Sequence, residues 1–63
     1  MARNGFSYLV VVGQSRGEFM TIDGISFSSE LDMLRDLGVT GWELISIISA
    51  ATETRYYFKR PRS

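Results

Sequence analysis

The residues with the widest chemical reach stand together near the end of the chain, as Arg55-Tyr56-Tyr57-Phe58-Lys59-Arg60. Guanidinium groups grip phosphates with two parallel hydrogen bonds and aromatic rings stack on bases, so this interleaving suits a nucleotide or a short single strand. On a strand, alternation places Arg55, Tyr57 and Lys59 on one face and Tyr56, Phe58 and Arg60 on the other. The blander alternative makes Tyr56 and Phe58 core, Tyr57 an interface residue, and the cations edge charges that keep a strand soluble. A fourth cation, Arg16, lies in Gly13-Gln14-Ser15-Arg16-Gly17, whose glycines could cradle a phosphate. That stretch lacks the Gly-Lys-Ser/Thr ending of a P-loop and leads into no helix, so it reads as a connecting loop. Arg16, Arg55, Tyr57, Lys59 and Arg60 are therefore the candidate ligand-binding residues.

Catalytic chemistry finds little to work with. The chain has no histidine and no cysteine, which removes the commonest general base, thiol nucleophiles and zinc-type sites. Asp32 and Asp36 share a helix face at i, i+4 and could hold a hard cation, but the pattern fits a solvated surface better. Ser46 has no histidine to activate it and reads as a polar core atom that needs a partner. Glu43 belongs on the sheet rim, satisfying backbone donors or pairing with an arginine. The expectation is a chain without catalytic residues, metal or cofactor.

The elements that must position these residues follow from pattern. Phe6 to Val12 is strand-like and apolar on both faces. Glu18 to Ile22 reads as a brief strand and Asp23-Gly24 as a turn. Ser28-Ser29-Glu30 opens the one helix: Ser29 and Asp32 have capping-box spacing, and Leu31, Leu34 and Gly38 form a stripe flanked by Met33 and Leu37. Gly38 is the expected left-handed closing residue, with Val39 folding back on the last turn and Gly41 a second hinge. Trp42 to Ala50 reads as a buried strand, Ala51-Thr52-Glu53 as a hairpin, and Thr54 to Arg60 as a closing strand that Pro61 ends.

Two blocks in this order carry a resemblance. Leu37-Gly38-Val39-Thr40-Gly41-Trp42-Glu43-Leu44 and Tyr56-Tyr57-Phe58-Lys59-Arg60-Pro61 look like the paired motifs of domain-of-unknown-function family 4177, made of small bacterial and phage proteins. The likeness runs from Phe6 onward and implies the fold; the family has no general activity to lend. The long Gly13 to Phe27 segment departs from the family pattern, and any special function is expected there.

Size and charge complete the reading. Sixty-three residues form one domain, 1–63, with 1–5 and 62–63 as frayed ends. A chain this short buries only about 60 % of the surface its unfolded form exposes. Without disulfides or zinc, oligomerisation is the remaining source of stability. Seven basic residues balance seven acidic ones, so neither duplex nucleic acid nor an acidic membrane is an expected partner. Six of those acids lie between Glu18 and Glu43, and four cations crowd the last nine residues. No apolar run approaches the roughly 20 residues of a membrane span, and the first residues do not resemble a secretory signal, so a cytoplasmic location is expected.

The expected fold is α+β, an antiparallel sheet of three or four strands in the order β-(β)-α-β-β with the helix on one face. Trp42, Leu44, Ser46 and Ile48 are assigned to the helix side with Tyr8, Val10, Tyr56 and Phe58. Leu9, Val11, Ile45, Ile47 and Tyr57 are assigned to the opposite face, which is too apolar for water and becomes the self-association surface. Reversing the faces would exchange the interface residues and keep the oligomer. Two functions fit: a homo-oligomeric binding protein, of a size that suits a phage-encoded one, that sequesters or senses an anionic nucleotide-like ligand at a basic, aromatic subunit boundary, or an interaction module acting through an edge strand or the 13–27 loop.

Overall fold

The computed structural model describes residues 5–15 and 17–62. Five strands and one helix follow one another as β1 (Phe6–Gln14), β2 (Phe19–Thr21), β3 (Ser26–Phe27), α1 (Glu30–Val39), β4 (Glu43–Ser49) and β5 (Glu53–Pro61). The strands form one sheet in the order β3-β2-β1-β5-β4, with every neighbouring pair antiparallel. The α+β class stands, but the sheet has five strands rather than three or four. The extra width comes from the 13–27 segment. Gly17 and Gly24 sit at positive φ in its two tight turns, a backbone conformation strained for any residue with a side chain, and β2 between them with β3 after the second extends the sheet beyond β1. Phe19 and Phe27 pack against the core, so this segment is part of the structural frame.

The sheet is built on the β1–β5 pair, registered from Phe6 opposite Pro61 to Gln14 opposite Glu53. This pair extends to the ends of the described chain, where the Arg62 N–H donates to the Gly5 carbonyl at 3.0 Å. Residues 1–4 and 63, within the ends expected to fray, lie outside the described residues.

Helix α1 begins as expected. Ser29 is the N-cap, its hydroxyl accepting from the Asp32 N–H at 3.1 Å. Its end lies three residues beyond the expected one. Gly38 is helical, and the positive φ of +94° belongs to Gly41. The Trp42 N–H donates to the Leu37 carbonyl and the Gly41 N–H to the Gly38 carbonyl, the paired bonds of a Schellman close with Gly41 as its left-handed residue. Trp42 is the apolar residue that folds back against Leu37 and its neighbours. Val39 is 83 % exposed.

The core consists of Val11, Met33, Leu37, Tyr56 and Phe58, with Leu9, Phe19, Phe27, Leu34 and Trp42 packed around it. The buried helix stripe is therefore Met33 and Leu37 with Leu34, while Leu31 is exposed. The faces are also partly reversed. Leu9 pairs with Phe58 and Val11 with Tyr56, so Leu9 and Val11 lie under the helix and are not interface residues. Tyr8 and Val10 occupy the opposite face. Between Leu44 and Ser46 a bulge shifts the β4 register, because one extra residue in a strand turns everything after it by one face. Ser46 then lies opposite Tyr57 and Ile47 opposite Tyr56. Ser46 and Ile48 consequently leave the helix side and Ile47 joins it. All seven residues of β4 are exposed, the reverse of the buried strand expected from its composition.

Candidate functional site

The candidate cations divide between two faces. Arg55, Tyr57 and Lys59 stand in a row on the uncovered face of β5, opposite Val12, Val10 and Tyr8 of β1 respectively. Tyr8 is 69 % exposed, so this patch combines two phenols with two cations and has no helix over it. Arg55 Nε donates to Glu53 Oε2 at 2.7 Å. That bond, then Tyr57, raises the Arg55 pKa. The rest of its fork, whose five N–H groups cannot all point at one carboxylate, remains available to an anion. Lys59 Nζ lies 4.6 Å from the Phe6 ring centroid, an attraction that holds the ammonium over the sheet. Glu43 is exposed and directly across from Lys59 in the β4–β5 register, as its rim assignment anticipated.

Arg60 does not join this row. Its guanidinium lies over the Trp42 ring at 4.3 Å and donates from Nη1 to the Thr40 carbonyl at 2.9 Å. A side chain on Gly41 would come within 3.3 Å of the Arg60 stem. The arginine thus clasps the turn after α1, on the helix side. There it helps line a cleft of about 400 Å³ with Asp23, Asp36 and an apolar floor that includes Leu9, Phe27 and Trp42. Two acids against one base make that cleft a poor seat for an anion. Arg16 lies outside the described residues.

The acids are engaged or solvated. Asp32 accepts from Ser28 Oγ at 2.6 Å and from Arg35 at 2.9 Å, and the Ser28 hydroxyl leads the effects that hold its carboxyl below the usual range. Asp36 also lies near Arg35, and no group of three or more metal-ligating side chains forms among the described residues. Sequence reasoning missed the Tyr56–Glu30 contact, in which Tyr56 Oη donates to Glu30 Oε2 at 2.5 Å. Burial first, and then Glu30, push the Tyr56 phenol up to about 12. No pattern in the sequence joins these residues across 26 positions.

Among the described residues, no helix is long and apolar enough to cross a membrane. Comparison with protein-family models, with curated proteins and with solved structures finds no match. No family model thus supports the family resemblance, and the structure shows what the two sequence blocks do for each other. Gly41 and Trp42 meet Arg60, Glu43 faces Lys59, and Leu44 faces Phe58.

Proposed function

We propose that this chain is a non-catalytic binding protein that works as a small homo-oligomer and holds an anionic, nucleotide-like ligand on the uncovered sheet face near a subunit boundary. The observation that carries this reading is the row Arg55, Tyr57 and Lys59, with Tyr8 beside it. It offers cations for a phosphate and phenol rings for a base on one open surface. Sequestering or sensing such a ligand requires no catalytic group, and the bacterial or phage setting of the motif likeness is compatible with either role. Arg60 is left out of the ligand set because it stands on the helix side, away from the row, with its guanidinium over Trp42 and Nη1 on the Thr40 carbonyl.

Melting the protein against a panel of linear and cyclic nucleotides tests this reading. A ligand at 100 times its Kd adds about 2.7 kcal/mol of stability, or roughly 10–20 °C for a domain of this size. The double variant Arg55→Gln, Lys59→Gln should lose that shift and keep its unliganded melting temperature. No shift with any nucleotide would remove the ligand reading. It would leave the second one, a protein-interaction module that docks a larger partner, which the bare β4 edge favours. Shortening 13–27 is a poor test of such a module, because Phe19 and Phe27 belong to the packed core.

A further inference from the structure

We infer that a second copy of this chain pairs with the free edge of β4, antiparallel and about a two-fold axis through Ile47, joining two five-stranded sheets into one. The inference deepens the homo-oligomer half of the reading above and is independent of the ligand. Its basis is an asymmetry between the two edges of the sheet. At one end lies β3, two residues long, a short edge of the kind soluble proteins tolerate. At the other lies β4, seven residues long, bonded to β5 on one side only. Leu44, Ile45, Ile47 and Ile48 are each 40 to 54 % exposed there. Solvated edges are normally protected by lysine, proline, brevity or a covering loop. No charged residue or proline occurs from Leu44 to Thr52.

The occupant is a second copy because the strand suits itself. Beyond Glu43 at its start, β4 carries no charge for a foreign partner to recognise, and it meets no like charge when paired with its own image. In the register centred on Ile47, each Glu43 falls opposite Ala51 of the other copy, so the two carboxylates lie at opposite ends of the seam. The bulge rules out a neighbouring register. Residues directly across a strand pair share a face, and Leu44 and Ile48 lie on different faces, so a centre at Ser46, which would oppose them, is excluded. Centring on Ile47 opposes Ser46 to Ile48, both on the uncovered face, and Ile47 to its own image on the helix side. The joined sheet then turns both Arg55-Tyr57-Lys59 rows to the same side. Three strand spacings separate them, about 14 Å, so the subunit boundary gathers the cations that one chain holds singly.

The absence of cysteine allows a direct test. In this register the Ile47 Cα atoms of the two copies lie about 4.5–5.5 Å apart, within the roughly 4.4–6.8 Å a disulfide spans. Ile47→Cys should give a covalent dimer in high yield on mild oxidation. Tyr8→Cys, in the middle of the uncovered face, should remain uncrosslinked. Ile47→Lys should weaken self-association at least tenfold by sedimentation. A dimer that crosslinks through Tyr8→Cys and not through Ile47→Cys would overturn edge pairing in favour of face packing and leave the homo-oligomer standing. A monomer at all concentrations would overturn both. The cysteine variants keep the test independent of whether Ile47→Lys folds.

Discussion

Gly38 and Gly41 are three residues apart and have opposite effects. Gly41 holds a φ of +94°, and its missing side chain leaves room for the Arg60 stem. Gly38 has helical φ and open space around it. Gly41→Ala should therefore cost about 1–2 kcal/mol for the left-handed backbone, with further loss as Arg60 is pushed off Trp42. Gly38→Ala should gain about 0.5–1 kcal/mol, because alanine orders more cheaply within a helix. Urea midpoints moving in opposite directions would confirm the pair, and a gain at Gly41 would refute the Schellman close. Tyr56 supplies a pH signature at the same scale. Its pKa rises from 10.0 to about 12 on folding, so folding favours the neutral phenol. That stability is complete below pH 10 and fades as pH climbs toward about 12. Tyr56→Phe should be about 1 kcal/mol less stable at neutral pH, and the difference from the native chain should shrink over that alkaline window. A constant difference would place the tyrosine hydroxyl in water.

Between elements, β1 and β2 meet closely at Gly13. A side chain at Gly13 would lie 2.8 and 2.9 Å from carbons of the Phe19 ring, which stands edge-on to Tyr56 at a centroid distance of 6.0 Å. Gly13→Ala should cost about 1–3 kcal/mol through that overlap. Most of the cost should vanish in a Phe19→Leu background, a coupling a double-mutant cycle measures directly. Gly13 also shows where the sequence misleads, since it looks like the start of a loop but lies within β1, spared a side chain so that a ring can cover it. Strand β3, two residues long, was not read at all, whereas β1, β4 and β5 were legible from β-branched and aromatic runs and the helix start from Ser29. The faces were not. Phe6 to Val12 is apolar at every position but Ser7, so alternation cannot say which parity meets the helix. Only tertiary packing chooses Leu9 and Val11. The β4 bulge left no trace in composition, and it moved Ser46 and Ile48 to the other face. The site was half legible for the same reason: alternation correctly grouped Arg55, Tyr57 and Lys59, while the capture of Arg60 by Trp42 depends on a turn 18 residues earlier in the chain.

At the scale of the whole molecule, one chain resembles part of a larger object. Its radius of gyration is 12.5 Å, against roughly 10–11 Å for a compact domain of this length. The helix roofs the sheet only in part, β4 lies beyond it, and an apolar run reads as buried in the sequence while standing exposed in the single chain. These two facts agree if the strand becomes covered only on association, because composition records burial in the functional assembly rather than in one subunit. Folding coupled to association makes stability depend on concentration. For a dimer that unfolds to two separate chains, a tenfold rise in protein adds about 1.4 kcal/mol per dimer. With an unfolding entropy of about 2.1 cal/mol/K per residue over both chains, the melting temperature should climb by about 5–6 °C per decade. Ile47→Lys should flatten that slope, whereas Arg55→Gln on the open face should leave it intact. A native melting temperature independent of concentration over two decades would mean that β4 stays bare in solution, and its apolar composition would then require a different partner.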